Sequence, residues 1–376
     1  MTTLKTLLLL LCISFSLQAH AQEKVTTREV LSLDKGWSFH KGDIPYPVIK
    51  GHNATYRNAK AGYVSGAASP NYDDSSWRVL DLPHDWAIEG TVNPDANLSQ
   101  GYRDRGFGWY RRKFKLDPED NGKHLEIQFD GISTHATIWV NGTVLHRNWC
   151  GYTSMYIDIT PYATYGDNIN TIAVRVDAEA QEGWWYEGAG IYRHTWLVKR
   201  SPLHIITDGV FAHPVKKNDN QWEIPVEVSL YNSGKLSADG EVEVTLFAPD
   251  GKQITTQSKA VSVTALREGI ANLPLTVSDP QLWSPDSPAL YKVKTTVKQN
   301  GTVTDEVETK CGFRTIRFDN NTGFWLNGEN IKIKGVCNHQ DHAGVGVAVP
   351  DALWEFRLRK LKEMGVNAYR AAHNPM

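Results

Sequence analysis

Two-residue turn signals recur along most of the chain. Asn-Gly or Asp-Gly pairs begin at positions 121, 130, 141, 208, 239, 250, 300 and 327. These dipeptides tolerate positive φ and favour tight β-hairpins. Many short strands separated by such turns are typical of β-sandwiches. We therefore predict an all-β fold from residue 22 to about residue 330.

The segments that flank these turns alternate between apolar and polar residues, as half-buried strands do. Trp222–Leu230 is apolar at every second position, and Val242–Leu246 repeats the pattern. Nine of the 13 tryptophans precede a boundary near residues 199–202, and the sequence beyond it is richer in Val and Thr. We therefore predict a large sandwich over residues 22–200 and an immunoglobulin-like sandwich over residues 201–316, both of single-domain size.

The pattern changes after residue 330. We predict a strand over Ile331–Val336, a helix that Asp351 caps, and a second strand over Val366–Arg370. The apolar stripe of the helix and the glycine that ends it are Trp354, Leu358, Leu361 and Gly365. One β-α-β unit cannot cover both faces of its own strands. We therefore expect residues 317–376 to be the start of a longer α/β domain.

Polar residues follow both strands of this unit. The first strand leads into Asn338–His342, and the second leads into His373, Asn374 and Pro375. Because functional loops lie at the carboxyl ends of parallel strands, the two clusters should lie side by side. Such side chains suit hydrogen bonds to sugar hydroxyls, although solvated loops would have the same composition. A metal site at His339 and His342 is a weaker alternative, because a His-x-x-His spacing on a loop is not specific.

The first residues are typical of an export signal. Lys5 precedes an apolar stretch over residues 7–17, and Ala19 and Ala21 occupy the positions that signal peptidase recognises. We predict a signal peptide over residues 1–21, cleavage after Ala21, and a secreted or periplasmic protein. The apolar stretch is too short to span a membrane, and no second long one follows. No membrane association is therefore expected after cleavage.

Composition excludes several other classes of protein. Lys and Arg number 40 against 42 Asp and Glu, so the chain lacks the basic excess of a nucleic-acid-binding protein. Cys150, Cys311 and Cys337 would remain after cleavage, and their odd number and wide spacing argue against a disulfide framework. No Cys-x-x-Cys pair occurs, so a structural zinc site is not expected.

Several motifs resemble those of glycoside hydrolase family 2, which contains β-galactosidases, β-glucuronidases and β-mannosidases. Two of them, over residues 335–341 and 367–375, are similar to barrel motifs of that family. The others occur in family order, over residues 82–86, 108–112, 139–142, 151–152, 158–160, 188–193, 282–286 with 290–291, and 312–317. The resemblance implies a jelly-roll sugar-binding domain, an immunoglobulin-like domain and the first β-α-β unit of a truncated (β/α)8 barrel.

The resemblance also implies retaining hydrolysis of a terminal β-glycoside, most closely a β-galactoside, by two glutamates. Both glutamates are expected beyond Met376, so no catalytic residue is assigned in this chain, and the chain alone should be inactive. The residues implied to bind substrate are Asp177, His339, Asp341, His373 and Asn374. Cys337 departs from the family, which often has Asn there. No cofactor or metal ligand is identified, and a divalent or sodium ion in the full-length site is left open.

Four alternatives stay open at this point. The enzyme could be a β-glucuronidase or another member of the family, or the chain could be a non-catalytic carbohydrate-binding protein of two sandwiches. Asp177 could be a turn residue at the end of a strand. Trp184 and Trp185 suit either stacking on a sugar or packing within the protein. His84, Asp85 and Trp86 are expected to be structural.

Overall fold

Two antiparallel sheets form the first sandwich. The computed structural model describes residues 27–374, so the predicted signal peptide lies outside the described residues. The strands are β1 (Glu29–Ser32), β2 (Trp37–Lys41), β3 (Arg78–Leu80), β4 (Phe107–Phe114), β5 (His124–Phe129), β6 (His135–Val140), β7 (Thr143–Asn148), β8 (Met155–Asp158), β9 (Asn170–Asp177) and β10 (Thr195–Arg200). One sheet has the order β3-β2-β4-β9-β6-β7, and the other has the order β1-β10-β5-β8. Helices α1 (His52–Asn58) and α2 (Trp86–Glu89) lie in its loops.

Both faces of the six-stranded sheet carry apolar residues. Ile172, Val174 and Val176 of β9 point into the core between the sheets. On the opposite face, the rings of Trp109 and Trp139 stack with their centroids 5.6 Å apart, in a second cluster beneath loop residues. This second cluster accounts for part of the high tryptophan content of the domain, because large aromatic rings bury a wide sheet face.

The second sandwich has the alternation that the sequence predicts. Its strands are β11 (Leu203–Ala212), β12 (Val215–Lys216), β13 (Gln221–Asn232), β14 (Ala238–Phe247), β15 (Gln253–Val263), β16 (Arg267–Ser278), β17 (Tyr291–Gln299) and β18 (Thr302–Cys311). Strands β11, β12 and β16 surround β13, and the other sheet has the order β15-β14-β17-β18. Every second residue of β13 from Trp222 to Leu230 is buried, because successive side chains of a strand point to opposite faces.

The turn signals are right at some positions and wrong at others. At residues 141–142, 300–301 and 327–328 both residues of the Asn-Gly pair have positive φ, as a tight hairpin turn requires. The Asp-Gly pair at 239–240 lies inside β14 instead, where Asp239 and Gly240 pair with Ser262 and Val261 of β15. Pairing with β15 outweighs the local turn preference of the dipeptide there.

The last part of the chain contains a three-stranded sheet and then the β-α-β unit. The elements are β19 (Ile316–Asp319), β20 (Gly323–Leu326), β21 (Glu329–Asn330), β22 (Gly335–His339), α3 (Asp351–Glu363) and β23 (Ala368–Ala372). Strands β22 and β23 pair in parallel. Both start later than predicted, so the predicted start of the first strand at Ile331 is wrong. The helix cap at Asp351 is also wrong, because Pro350 occupies that position and Asp351 is the first helical residue.

The described structure is mainly strand, and its two sandwiches followed by a parallel β-α-β unit confirm the predicted fold class. Cys150, Cys311 and Cys337 are free thiols. None of the described helices combines enough length and apolar character to span a bilayer.

The contact between the two sandwiches contains a pair of buried histidines. The rings of His124 and His204 stack with centroids 4.6 Å apart, and both side chains are almost fully buried. The His204 Nδ1 atom lies 2.8 Å from the backbone carbonyl oxygen of Ser201. Burial lowers the pKa of His204 to about 3 and lowers the pKa of His124 as well.

We expect the protein to lose stability as the pH falls below 6.5. The unfolded chain binds a proton at His204 near pH 6.5, whereas the folded protein does so only near pH 3, so acid favours unfolding. The loss should be about 1.4 kcal/mol per pH unit in this range. Melting temperatures between pH 7 and pH 4.5 should show a shallower slope in His204→Gln than in the exposed-residue control His52→Gln. Equal slopes in the two variants would contradict the assignment.

Candidate functional site

Two predicted substrate-binding histidines meet where strands β22 and β23 end. His339 pairs with Ala372 in the parallel register, which brings the next residue, His373, beside it. The imidazole rings of His339 and His373 have centroids 5.0 Å apart and are nearly perpendicular. Because carboxyl ends of parallel strands lie at one edge of the sheet, residues distant in the sequence form one surface.

An aromatic loop from the first sandwich lies against this pair. The Trp185 ring centroid is 4.6 Å from that of His373, and its indole N–H donates to the Tyr152 hydroxyl at 2.8 Å. Gln340 is almost fully buried, and its amide nitrogen lies 3.4 Å from the same hydroxyl. The neighbouring Trp184 is 86% exposed. The loop therefore joins the two domains at the histidine pair.

Buried charges hold this aromatic loop in place. One carboxylate oxygen of Glu187 accepts hydrogen bonds from the backbone N–H groups of Glu182 and Gly183, at 2.9 and 3.0 Å. The other oxygen forms an ion pair with Arg105 at 3.1 Å. Burial raises the pKa of Glu187, whereas the Arg105 charge opposes that shift. A buried ion pair with its hydrogen bonds satisfied fixes a geometry, because removing one partner leaves the other unpaired.

Hydrogen bonds to the Asp85 carboxylate connect the first sandwich to the loop that follows β22. Its carboxylate accepts hydrogen bonds from the backbone N–H groups of Ala87, Ala189 and Val347, at 3.0, 3.0 and 3.1 Å. It also accepts one from the Tyr186 hydroxyl at 2.7 Å. Burial raises the pKa of Asp85, although these four donors oppose the shift. The structural role that the sequence indicated for this residue is what the contacts show.

Glycines make room for the Asp85 carboxylate. A Cβ atom at Gly346 would lie 2.1 Å from an Asp85 carboxylate oxygen, and one at Gly188 would lie 2.6 Å from it. Both glycines also have positive φ, which side chains disfavour. The backbone of the barrel loop can therefore approach Asp85 only because these positions carry no side chain.

Asp341 and Asn374 lie near the histidine pair but in different surroundings. The guanidinium of Arg357 on α3 donates to the backbone carbonyls of His339 and Asp341, at 3.1 and 3.0 Å, and so holds the loop. The Asp341 charge contributes to the raised pKa of the Tyr186 hydroxyl, which burial mainly causes. Asn374 lines a cavity of about 700 Å³ between α3 and the first sandwich.

Asp177 lies in a different part of the structure from the histidine pair. It ends β9, and its Oδ1 atom accepts a hydrogen bond from the Glu179 backbone N–H at 3.0 Å. It lines a cavity of about 240 Å³ on the outer face of the six-stranded sheet, together with Arg147 and Trp149. The structure thus brings His339 and His373 together but places Asp177 in another cavity, and its contact with the substrate sugar stays a prediction.

Three residues of the site were missed by sequence reasoning. Gln340 lies inside the predicted cluster but was not singled out. Arg370 pairs in register with Cys337, and its guanidinium lies 2.9 Å from the Cys337 sulfur and 3.2 Å from the His373 Nδ1 atom. Arg357 could have been found from its position one helical turn from Trp354, on which its guanidinium stacks. Within residues 27–374, no group of three or more His, Cys, Asp or Glu side chains is placed to hold a metal ion.

Comparisons with known proteins agree with this architecture. Residues 93–202 match the galactose-binding domain-like family of glycosyl hydrolase 2, and residues 203–314 match glycosyl hydrolases family 2. Residues 318–376 match the TIM barrel domain of the same family. These three matches follow one another in the chain without overlap.

Individual relatives carry two kinds of name. The β-galactosidase BoGH2A of Bacteroides ovatus is 36% identical, and the match covers 93% of this chain and 39% of that relative. A β-glucuronidase of Bacteroides fragilis is 32% identical, and the match covers 79% of this chain and 44% of that relative. A solved family 2 structure from Bacteroides cellulosilyticus has a TM-score of 0.80 at 35% identity, covering 92% of this chain and 45% of that one. The β-glucuronidase structure from Bacteroides uniformis has a TM-score of 0.82 at 29% identity, and the match covers 93% of this chain and 40% of that one. The chain therefore spans less than half the length of each relative.

Proposed function

Because this chain belongs to glycoside hydrolase family 2, we propose that it is the N-terminal part of a retaining exo-β-glycosidase that acts on terminal β-galactosides. One observation carries the proposal, which is the meeting of His339 and His373 beside Trp185. Imidazoles donate and accept hydrogen bonds with hydroxyl groups, and an indole offers a flat apolar face to a sugar ring. The chain's own residues would thus bind and orient the terminal sugar.

The chemical step itself requires groups that we do not assign to this chain. Retaining hydrolysis uses two carboxyl groups about 5 Å apart, one as acid and base and one as nucleophile. We expect both in the sequence that follows Met376 in the extended protein. The 376-residue chain is therefore the natural negative control in any assay of an extended protein that includes the following sequence.

The second candidate is a β-glucuronidase. Relatives with that name are about as similar to the chain as those named β-galactosidase. The guanidinium of Arg370, 3.2 Å from His373, also places a cation at the site, and a uronate carboxylate requires a cation. The His339 loop is the feature that favours the galactoside.

A panel of aryl β-galactoside, β-glucuronide and β-mannoside tests the proposal on the extended protein. A site built for one hydroxyl pattern discriminates against analogues that leave its buried polar groups unpaired. We expect the highest kcat/KM with the galactoside. Preference for the glucuronide would transfer the assignment to the second candidate, and no turnover of any of the three would favour a non-catalytic binding protein.

We also propose that the protein is exported, on the basis of residues 1–21. N-terminal sequencing of the protein recovered from expressing bacteria should begin at Gln22, because Ala19 and Ala21 precede the predicted cleavage site. An Ala21→Pro variant should be processed poorly. Recovery of mature protein that still begins at Met1 would contradict this proposal.

A further inference from the structure

The second sandwich carries a cleft that the proposed reaction does not use. Its volume is about 680 Å³, which is within the range of small-molecule binding sites. It lies where β12, the loop before β17 and the segment from β18 to β19 meet, and it shares no residue with the histidine pair. We call it the junction cleft, and its lining consists of residues 212–216, 283, 290, 310–312 and 314–316.

The charged side chains that line the junction cleft are basic. Among the described residues 27–374, Lys216, Lys310 and Arg314 line it and no carboxylate does. Lys216 forms an ion pair at 3.1 Å with Asp219, whose side chain is almost completely exposed. Within the same part of the chain, neither the Lys310 ammonium nor the Arg314 guanidinium has a hydrogen bond or an ion pair. The cleft therefore keeps two positive charges that no ion pair neutralises.

An indole ring holds the Arg314 guanidinium in place. The guanidinium stacks over Trp283, at 4.9 Å from the ring centroid. The Trp283 backbone N–H donates to the carbonyl of Phe313 at 2.8 Å, and Phe313 is completely buried. A Cβ atom at Gly312 would lie only 3.2 Å from the Trp283 Cβ, so the glycine gives the tryptophan room. Stacking occupies the face of the guanidinium and leaves its in-plane N–H groups available to an anion.

The rest of the lining suits a body larger than a free ion. The indole N–H of Trp283 has no hydrogen-bond partner among residues 27–374, so it is a further donor. Leu290 and Ile316 are 42% and 52% exposed and add apolar surface. A pyranose ring has apolar C–H faces, which can pack on such side chains while a charged substituent contacts the cations.

The donors of the cleft favour an acidic ligand over a neutral one. The Lys310, Arg314 and Trp283 side chains donate hydrogen bonds and cannot accept them. A carboxylate or a sulfate ester presents several acceptor oxygens, and a guanidinium binds such groups through two parallel hydrogen bonds. A neutral hydroxyl forms weaker hydrogen bonds with the same donors, because it carries no charge.

We propose that the junction cleft binds an acidic sugar residue whose carboxylate or sulfate ester contacts Arg314 and Lys310. The anionic group is inferred from the cleft alone, whereas the sugar rests on the proposed function, since a glycosidase encounters glycans. The site goes beyond the proposed hydrolysis, because binding here needs neither the histidine pair nor any residue beyond Met376.

Binding to the 376-residue chain tests the inference without any catalytic step. Saturation-transfer NMR and titration calorimetry would use galactose 6-sulfate and methyl β-glucuronide as acidic probes. Methyl β-galactopyranoside is the neutral probe, and inorganic sulfate is the anion without a ring. We expect at least one acidic sugar to bind about tenfold more tightly than either of these two. The tighter acidic probe shows whether the cleft prefers a sulfate ester or a carboxylate.

The variants remove one cation at a time. Arg314→Gln and Lys310→Gln should each weaken binding of the preferred probe about tenfold, because each removes a charge-assisted hydrogen bond. The matched control is Lys259→Gln on β15, which removes an exposed lysine of the same domain that has no ion pair within residues 27–374. It should leave the binding unchanged. Circular dichroism would check that all three variants fold.

Several outcomes would overturn the inference. They are the absence of binding by both acidic sugars, equally tight binding of the neutral sugar or of inorganic sulfate, and unchanged binding in a folded Arg314→Gln or Lys310→Gln variant. An equal loss in Lys259→Gln would show that binding responds only to net charge. Binding that is lost in Arg370→Gln but kept in Arg314→Gln would place the acidic sugar at the histidine pair instead. None of these results decides whether the extended protein hydrolyses glycosides, so the two proposals can fail separately.

Discussion

Replacing Asp85 with alanine should lower the free energy of unfolding by about 3–5 kcal/mol. The substitution leaves four donors without their shared acceptor, namely the backbone N–H groups of Ala87, Ala189 and Val347 and the Tyr186 hydroxyl. Asp85 is only 2% exposed, so water cannot readily replace the lost carboxylate. Each buried polar group left without a partner costs about 1–3 kcal/mol, and partial relaxation makes the total smaller than the sum.

Urea unfolding followed by tryptophan fluorescence would measure this loss on the 376-residue chain. The matched control is Glu308→Ala, which removes a carboxylate that forms a surface ion pair with Lys292 and is itself 49% exposed in its side chain. Exposed pairs contribute about 0–1 kcal/mol, so the control should unfold nearly as the parent does. A loss of under 1 kcal/mol in Asp85→Ala would show that the carboxylate does not stabilise the fold.

Hydrogen exchange would locate the effect. Because Asp85 joins the first sandwich to the loop after β22, peptides that cover residues 343–349 should exchange faster in Asp85→Asn than in the parent protein. Asparagine keeps the size of the side chain, but its amide N–H₂ group faces donors that need an acceptor. Unchanged exchange in these peptides would mean that the loop is held by other contacts.

Replacing His339 or His373 with alanine should lower the kcat/KM of the extended protein about 10- to 100-fold. Each imidazole is predicted to hydrogen-bond a sugar hydroxyl, and a hydroxyl that is enclosed on binding but left without its partner costs about 1–3 kcal/mol. If the contacts tighten as the sugar distorts in the transition state, kcat should fall while KM rises. On the family resemblance, we expect Asp177→Ala to lower kcat/KM as well.

The control for the histidine variants comes from the same loop. The side chain of His342 is partly exposed, and its Nδ1 atom lies 3.0 Å from the backbone carbonyl oxygen of the neighbouring Ala343. We expect His342→Ala to keep kcat/KM within about threefold of the parent value. Steady-state kinetics on the preferred aryl glycoside would compare kcat/KM of the three histidine variants with that of the parent, with circular dichroism to check folding. Unchanged kcat/KM in both His339→Ala and His373→Ala would remove the pair from the substrate site.

Local sequence patterns were sufficient to predict the order of the domains. The alternation from Trp222 to Leu230 predicted a strand with one buried face, and β13 has that face because strand periodicity is a property of the backbone itself. Three Asn-Gly pairs formed the expected turns, because both residues tolerate the positive φ that a tight hairpin turn requires. At residues 239–240, the pairing of β14 with β15 overrode the local turn signal.

The site was partly predictable. The two motifs around His339 and His373 were found in the sequence, and the rule that parallel strands end at one edge placed them together. That rule says nothing about residues outside the strands. Trp185 reaches His373 from another domain, and Asp177 turned out to line the cavity that contains Trp149.

The sequence by itself determined the strand pattern, the β-α-β unit and the motifs that identify the family, because each depends on residues close together in the chain. Only the tertiary structure decided what joins these parts. Asp85 and Val347 are 262 positions apart, and their hydrogen bond exists because two glycines let the backbone approach a buried carboxylate. A contact of this kind leaves no periodic trace in the sequence, since it depends on the packing of whole domains.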